Sequence, residues 1–129
     1  MFPGTPVPAE EAAASSLAVG IFADADNSHK GSGTATVYRG PDGSLLLRLE
    51  NFTVTNGPDL HVYVTPHKNP GNAAPVKASG HLDLGGLKGN VGNQNYFLPD
   101  DFDITLLGAV VIYCQPFNII FSVAPLTGS

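Results

Sequence analysis

From residue 17 onward, apolar and polar positions alternate in short runs separated by Gly, Pro, Asn and Asp, a period that places successive side chains on opposite faces of β-strands. The clearest pair is 32–39 and 44–52, joined by Gly40, Pro41, Asp42 and Gly43, and it predicts a hairpin. In its second strand Leu45, Leu47 and Leu49 share one face and are assigned to the core, while Arg48 and Glu50 fall with Leu46 on the other. After the turn Asn56, Gly57, Pro58, the stretch 59–65 sets Leu60, Val62 and Val64 against Asp59, His61 and Tyr63. It predicts a strand that buries aliphatic side chains and presents a polar row. Residues 66–80, with Pro66, Pro70, Gly71 and Pro75, read as a surface loop, and 81–87 as a weaker strand. The runs 107–114 and 117–124 are nearly continuously apolar, as expected of central strands buried on both faces.

About seven or eight strands at this spacing, with no competing helical period, predict an all-β fold: an antiparallel β-sandwich or a closed barrel. The length of 129 residues suits a single domain. Residues 1–16, with Pro3, Pro6 and Pro8 followed by Glu10 and Glu11, read as a tether preceding a β domain at 17–127. The N-terminus has no basic stretch followed by an apolar run, so the expectation is that any signal or anchor lies outside these residues. The longest apolar run is far shorter than a bilayer requires.

Charge narrows the function. Six Lys and Arg against eleven Asp and Glu give a net charge of −5, which repels phosphate backbones and argues against nucleic acid as a partner. Charged residues are only 13% of the chain, so the surface is largely Gly, Asn, Ser and Thr. The single cysteine, Cys114, cannot form an intrachain disulfide or a Cys-rich zinc site.

Several sites are incomplete. The strand-end sequence Cys114, Gln115, Pro116, Phe117 is similar to a cupredoxin loop, but Asn118 stands where a histidine ligand is expected, and the sole methionine is Met1. His29, His61, His67 and His81 have no spacing that implies a shared metal, so no metal ligands are assigned. Asp24, Asp26 and Ser28 alternate like the opening of a calcium loop, but His29 and Ala35 occupy the positions that need Gly and Glu. The glycines of 86–92 lack the Lys and Ser or Thr of a phosphate loop and read as turn residues. Asn51, Phe52, Thr53 forms an N-glycosylation sequon, meaningful only in a eukaryotic secretory setting. No complete catalytic constellation and no cofactor motif is evident, which leaves haem and copper open.

Three segments together carry a resemblance: 57–63 (Gly-Pro-Asp-Leu-His-Val-Tyr), Leu87-Lys88-Gly89 with 92–96 and Pro99, and 111–117 (Val-Ile-Tyr-Cys-Gln-Pro-Phe). With His29, Gly33 and the 47–52 stretch, they resemble the DM-thirteen domain family over about residues 20–126. The resemblance implies an all-β, extracytoplasmic module, secreted or membrane-anchored, that serves electron transfer with a redox partner protein. It matches the family's characteristic cysteine to Cys114.

Two readings of Cys114 stand side by side. Enclosed by Val110, Ile112 and Phe117, the thiol would be unreactive and structural; exposed at the strand end beside Pro116, it could act in redox chemistry, limited by the lack of a resolving cysteine. A one-electron relay would need a cofactor or an aromatic such as Tyr113. For the polar row, Asp59, His61 and Tyr63 could line a binding surface with Lys88, Asn93, Gln94 and Tyr96. Alternatively Asp59 caps turn amides and Asn93 and Asn95 satisfy buried loop groups. The rival to redox function is a non-catalytic ligand- or protein-binding module.

Overall fold

The computed structural model describes residues 15–70 and 80–128. Residues 1–14 of the predicted 1–16 tether and most of the 66–80 loop lie outside the described residues. Among the described residues ten strands follow in chain order: β1 (Ser15–Ile21), β2 (Ala23–Asp24), β3 (Gly31–Arg39), β4 (Leu45–Val54), β5 (Leu60–Thr65), β6 (Leu82–Gly86), β7 (Gln94–Leu98), β8 (Ala109–Cys114), β9 (Ile119–Pro125) and β10 (Thr127–Gly128). A single 3-10 turn at Ile104–Leu106 is the one helical element among the described residues.

The strands pair antiparallel into two five-stranded sheets, one ordered β10-β1-β3-β4-β7 and the other β2-β9-β8-β5-β6. The fold is therefore a sandwich, and the closed-barrel alternative is set aside. Phe22 marks the crossing between layers: β1 belongs to the first sheet and β2, immediately after it, pairs with β9 in the second. Ser15 and Ser16, expected in the tether, already pair with Arg39 and Tyr38.

Alternation assigns the core. Leu45, Leu47 and Leu49 have no exposed surface and join Val62, Val110, Ile112 and Phe121 in one cluster between the sheets. The second sheet is buried on its other face as well, where Tyr63, Val111, Tyr113, Ile120 and Val123 form a second cluster. This accounts for the nearly continuous apolar runs of β8 and β9. It also modifies the expected polar row of β5: Tyr63 is buried and His61 is half-buried, so the row is only partly presented to solvent. Arg48 departs further from an ordinary outward position. It shares a face with Leu46 and Glu50 yet has 0% exposure, with Nη1 donating to Asn95 Oδ1 at 2.7 Å.

β7 was hidden in the sequence by amide side chains. Its buried residues are Gln94, Tyr96 and Leu98, while Phe97 is exposed, which inverts the usual relation of polarity to burial. Strand directions bring the segments 25–30, 55–59, 87–93 and 115–118 to one end of the sandwich. Main-chain hydrogen bonds join neighbours there: Thr55 N–H to Lys30 O at 2.9 Å, Val54 N–H to Asn90 O at 2.9 Å and Leu87 N–H to Leu60 O at 2.8 Å. Nearly every residue singled out for chemistry lies in or next to these loops, the usual division of labour between a rigid scaffold and its connections.

Close packing of the layers depends on Gly20 in β1, where a Cβ would stand 2.3 Å from the carbonyl oxygen of Pro125. Gly20→Ala should therefore lower unfolding free energy by about 1–3 kcal/mol, the usual cost of overpacking. Gly86→Ala, with open space around its Cβ, should change it by no more than about 0.5 kcal/mol. Urea denaturation of the two variants checks the contrast.

Candidate functional site

The side chains expected to form one site fall into two clusters. The first is built on β5. Pairing sets His61 opposite Tyr113 of β8 and Gly86 of β6, and Tyr63 opposite Val111 and Asp83. His61 Nδ1 lies 2.9 Å from Asp83 Oδ1, and its Nε2 lies 3.0 Å from Asp59 Oδ1. Asp83 also accepts from Gly85 N–H at 2.8 Å and from Gln115 Nε2 at 3.1 Å. Gln115 Nε2 donates as well to the Tyr63 hydroxyl at 2.8 Å. The Tyr63 ring is enclosed by stacking, with Tyr113 at 4.9 Å and His81 at 4.3 Å between centroids. Tyr113 donates its hydroxyl to Asn118 Oδ1 at 3.0 Å.

The electrostatics follow from these contacts. Burial by itself would lower the His61 pKa, but hydrogen bonds and charge from Asp83 and Asp59 outweigh it and hold His61 above its ordinary value. Burial would raise Asp83, yet His61, Gly85 and Gln115 together hold it below the usual carboxylate range. Tyr63 and Tyr113 are both pushed up, chiefly by burial, so both remain neutral phenols at physiological pH. Both faces of the Tyr63 ring are covered, which leaves no free aromatic platform for a ligand to stack on.

The second cluster organises the 87–93 loop. Tyr96 points into the core from β7, donates its hydroxyl to Gln94 Oε1 and accepts Lys88 N–H at 2.8 Å. Gln94 Nε2 donates to the carbonyls of Gly89 and Gly92 at 2.9 and 3.2 Å. Asn93 Oδ1 accepts Asn51 N–H at 2.7 Å, supporting Asn51 at a φ of 51°. Lys88 folds back, its Nζ donating to Asn95 O and lying 5.0 Å from the Tyr96 ring centroid. Burial pushes the Tyr96 pKa up to about 12. Lys88, Asn93, Gln94 and Tyr96 thus serve loop geometry, and no hydrogen bond joins their side chains to those of Asp59, His61 or Tyr63.

Cys114 belongs to neither cluster. It continues the inward row of Val110 and Ile112, has 0% exposure, and donates its S–H to the carbonyl of Pro58 at 3.2 Å. Phe117, expected to help enclose the thiol, instead stands 62% exposed at the tip of the β8–β9 hairpin. Tyr113 lies on the opposite face of β8, so the thiol and its neighbouring phenol address different sides of the sheet.

The donor sets do not suit copper or haem at Cys114. The sulfur is directed at a backbone carbonyl, both ring nitrogens of His61 are engaged by carboxylates, and His29 Nδ1 is engaged by Asp26 at 2.8 Å. Among the described residues no three His, Cys, Asp or Glu side chains converge to hold a metal. The sulfur also has no exposed surface through which a porphyrin iron could be ligated. In the 24–30 segment, Asp26 accepts from Ser28 N–H and His29 N–H, and Asp24 accepts from Gly31 N–H, so the spacing that suggested calcium serves turn closure.

Asp83, Gln115, His81 and Asn118 complete the first cluster but were not singled out for binding from sequence. Asp83 and His61 lie 22 positions apart, and the antiparallel pairing of β6 with β5 brings them together. The one available signal was Asp83 as a charge within an otherwise uncharged strand.

Residues 22–126 match the family model described as electron transfer DM13. No curated protein and no solved structure matches the chain.

Tyr96→Phe removes the acceptor of Lys88 N–H and the donor to Gln94 without emptying the ring's volume. It should cost about 1–3 kcal/mol of stability, the penalty for leaving buried polar partners unsatisfied. Denaturant unfolding of Tyr96→Phe beside the parent protein measures it.

Proposed function

The chain belongs to the electron transfer DM13 family, and we propose that it serves electron transfer as an extracytoplasmic docking module whose thiol does not react directly with a partner. The observation that carries this reading is the burial of Cys114, with its proton committed to the Pro58 carbonyl. Thiol–disulfide exchange requires a thiolate that can reach the partner's sulfur. The docking face is the loop end, where Asp59, His61, Asp83 and Gln115 offer charge and hydrogen-bonding groups, and Phe117 and Val91 stand exposed at loop tips. Exposed apolar tips beside polar groups suit a protein partner better than a small ligand. The extracytoplasmic setting is supported by the family resemblance and the sparsely charged composition.

A second reading, in which Cys114 itself carries the redox step, draws on one observation: the group over the sulfur is the carbonyl of an exposed turn. Displacement of Pro58 would let the thiol lose its proton to solvent. The thiolate would then attack a partner disulfide, forming one S–S bond and releasing the partner's other sulfur as thiolate.

Reaction with an aromatic disulfide reagent separates the readings. If exposure requires global unfolding, the native thiol should react at least about a thousandfold more slowly than in denaturant, given a stability of ~5 kcal/mol or more. Cys114→Ser should retain redox turnover with the native partner. A native thiol rate within tenfold of the denatured one, or loss of turnover in a folded Cys114→Ser, overturns the docking reading in favour of the second.

A further inference from the structure

His61 is an imidazole held between two carboxylates, one on each ring nitrogen, at 2.9 and 3.0 Å. A neutral imidazole has one N–H and one lone pair, and an ionised carboxylate can only accept. Both contacts are satisfied together only by the imidazolium. Loss of the proton turns a lone pair toward one carboxylate oxygen at hydrogen-bond distance, and one contact must break.

The surroundings decide which one. Asp83 is retained by Gly85 N–H and Gln115 Nε2 besides His61. The Asp59 side chain is more exposed, 58% against 35%, and its carboxylate is held by His61. Asp59 also adopts a φ of 51°, a left-handed conformation that Asp tolerates better than most residues. Its main chain adjoins the groups that close the loop end. The carbonyl of Pro58 receives the Cys114 thiol, and the carbonyl of Asp59 receives Gln115 N–H at 3.4 Å.

We propose that His61 is a proton-operated clamp on the turn 56–59: the imidazolium ties Asp59 to β5 and β6, and the neutral ring keeps Asp83 and releases Asp59. The inference concerns the face assigned above to docking but does not depend on a partner binding there. It makes the shape of the loop end responsive to mild acidity, with the closed arrangement favoured on the acid side.

The groups facing His61 bear this out. Asp59 faces it from the turn, Asp83 from β6, Tyr63 from β5 with ring centroids 6.4 Å apart, and Tyr113 from the paired position on β8. His81 lies beyond, stacked on Tyr63, and Gln115 behind Asp83 is uncharged. Two carboxylates are thus the charges nearest the ring, and both phenols are neutral through the range in which a histidine titrates. The folded-state pKa of His61 is raised. The clamp's contribution is therefore complete below the unfolded value near 6.5 and is lost as pH rises through the folded-state value.

Amide hydrogen exchange across pH 6 to 8.5, corrected for intrinsic rates, tests the clamp, with the His61 ring followed by NMR in the same samples. Protection of Gln115 N–H should fall about fivefold across this range, the size expected of a partly exposed ion pair. His61→Phe should abolish the pH dependence. Asp59→Asn keeps a residue tolerant of the positive φ, so it provides the same test if His61→Phe does not fold. It should flatten the exchange profile and lower the His61 pKa. An unchanged pH dependence in Asp59→Asn, or a His61 titration that the substitution does not move, overturns the proposal. Thiol inertness of Cys114 at pH 6 is read separately, so the docking reading can fail while the clamp stands.

Discussion

The two-residue period of β8 separates the thiol from the phenol beside it, and much of the functional reading turns on that separation. Val110, Ile112 and Cys114 face the core between the sheets, while Ala109, Val111 and Tyr113 face the second cluster outside it. Since β8 lies between β5 and β9 and is buried on both faces, neither row can turn toward solvent without breaking a ladder on each side. A cysteine at this register is a small apolar residue with one weak donor, and the fold supplies that donor with the Pro58 carbonyl.

The loop end is where the sandwich relaxes this constraint. Gly57 lets its turn lie directly on Phe121, whose ring a Cβ would meet at 2.6 Å, and the His29 ring lies tilted against Phe121 with centroids 4.4 Å apart. The turn is therefore seated on aromatic surface beneath and tied at its Asp59 end by His61. The polar groups at this end of the molecule take their positions from hydrogen bonds among β5, β6 and the β8–β9 hairpin. The sulfur lies beneath these groups with no exposed surface. The second polar cluster, around Tyr96, gives the adjacent loop a fixed frame through hydrogen bonds at Lys88, Gln94 and Asn93.

The legible part of this architecture is what nearest neighbours along the chain encode. The 40–43 turn between two alternating runs, the leucine row at 45, 47 and 49, and the twice-buried character of 107–114 are all consequences of local period and turn chemistry. Less legible was β7, because Gln94 is buried for its hydrogen bonds to loop carbonyls while Phe97 is exposed. Arg48 is a similar case: its place on the outer face was readable from alternation, but its complete burial there was not.

The sequence by itself therefore determined the all-β class, the main hairpin, the principal core row and membership of an electron transfer family, since these rest on period, turn residues and contiguous motifs. Only the tertiary structure decided that Cys114 is closed beneath Pro58, that His61 is shared between Asp59 and Asp83, and that the expected polar surface divides in two. Those outcomes depend on the register between strands distant in the chain, where a one-residue shift exchanges the faces of every side chain, and no local pattern records that register.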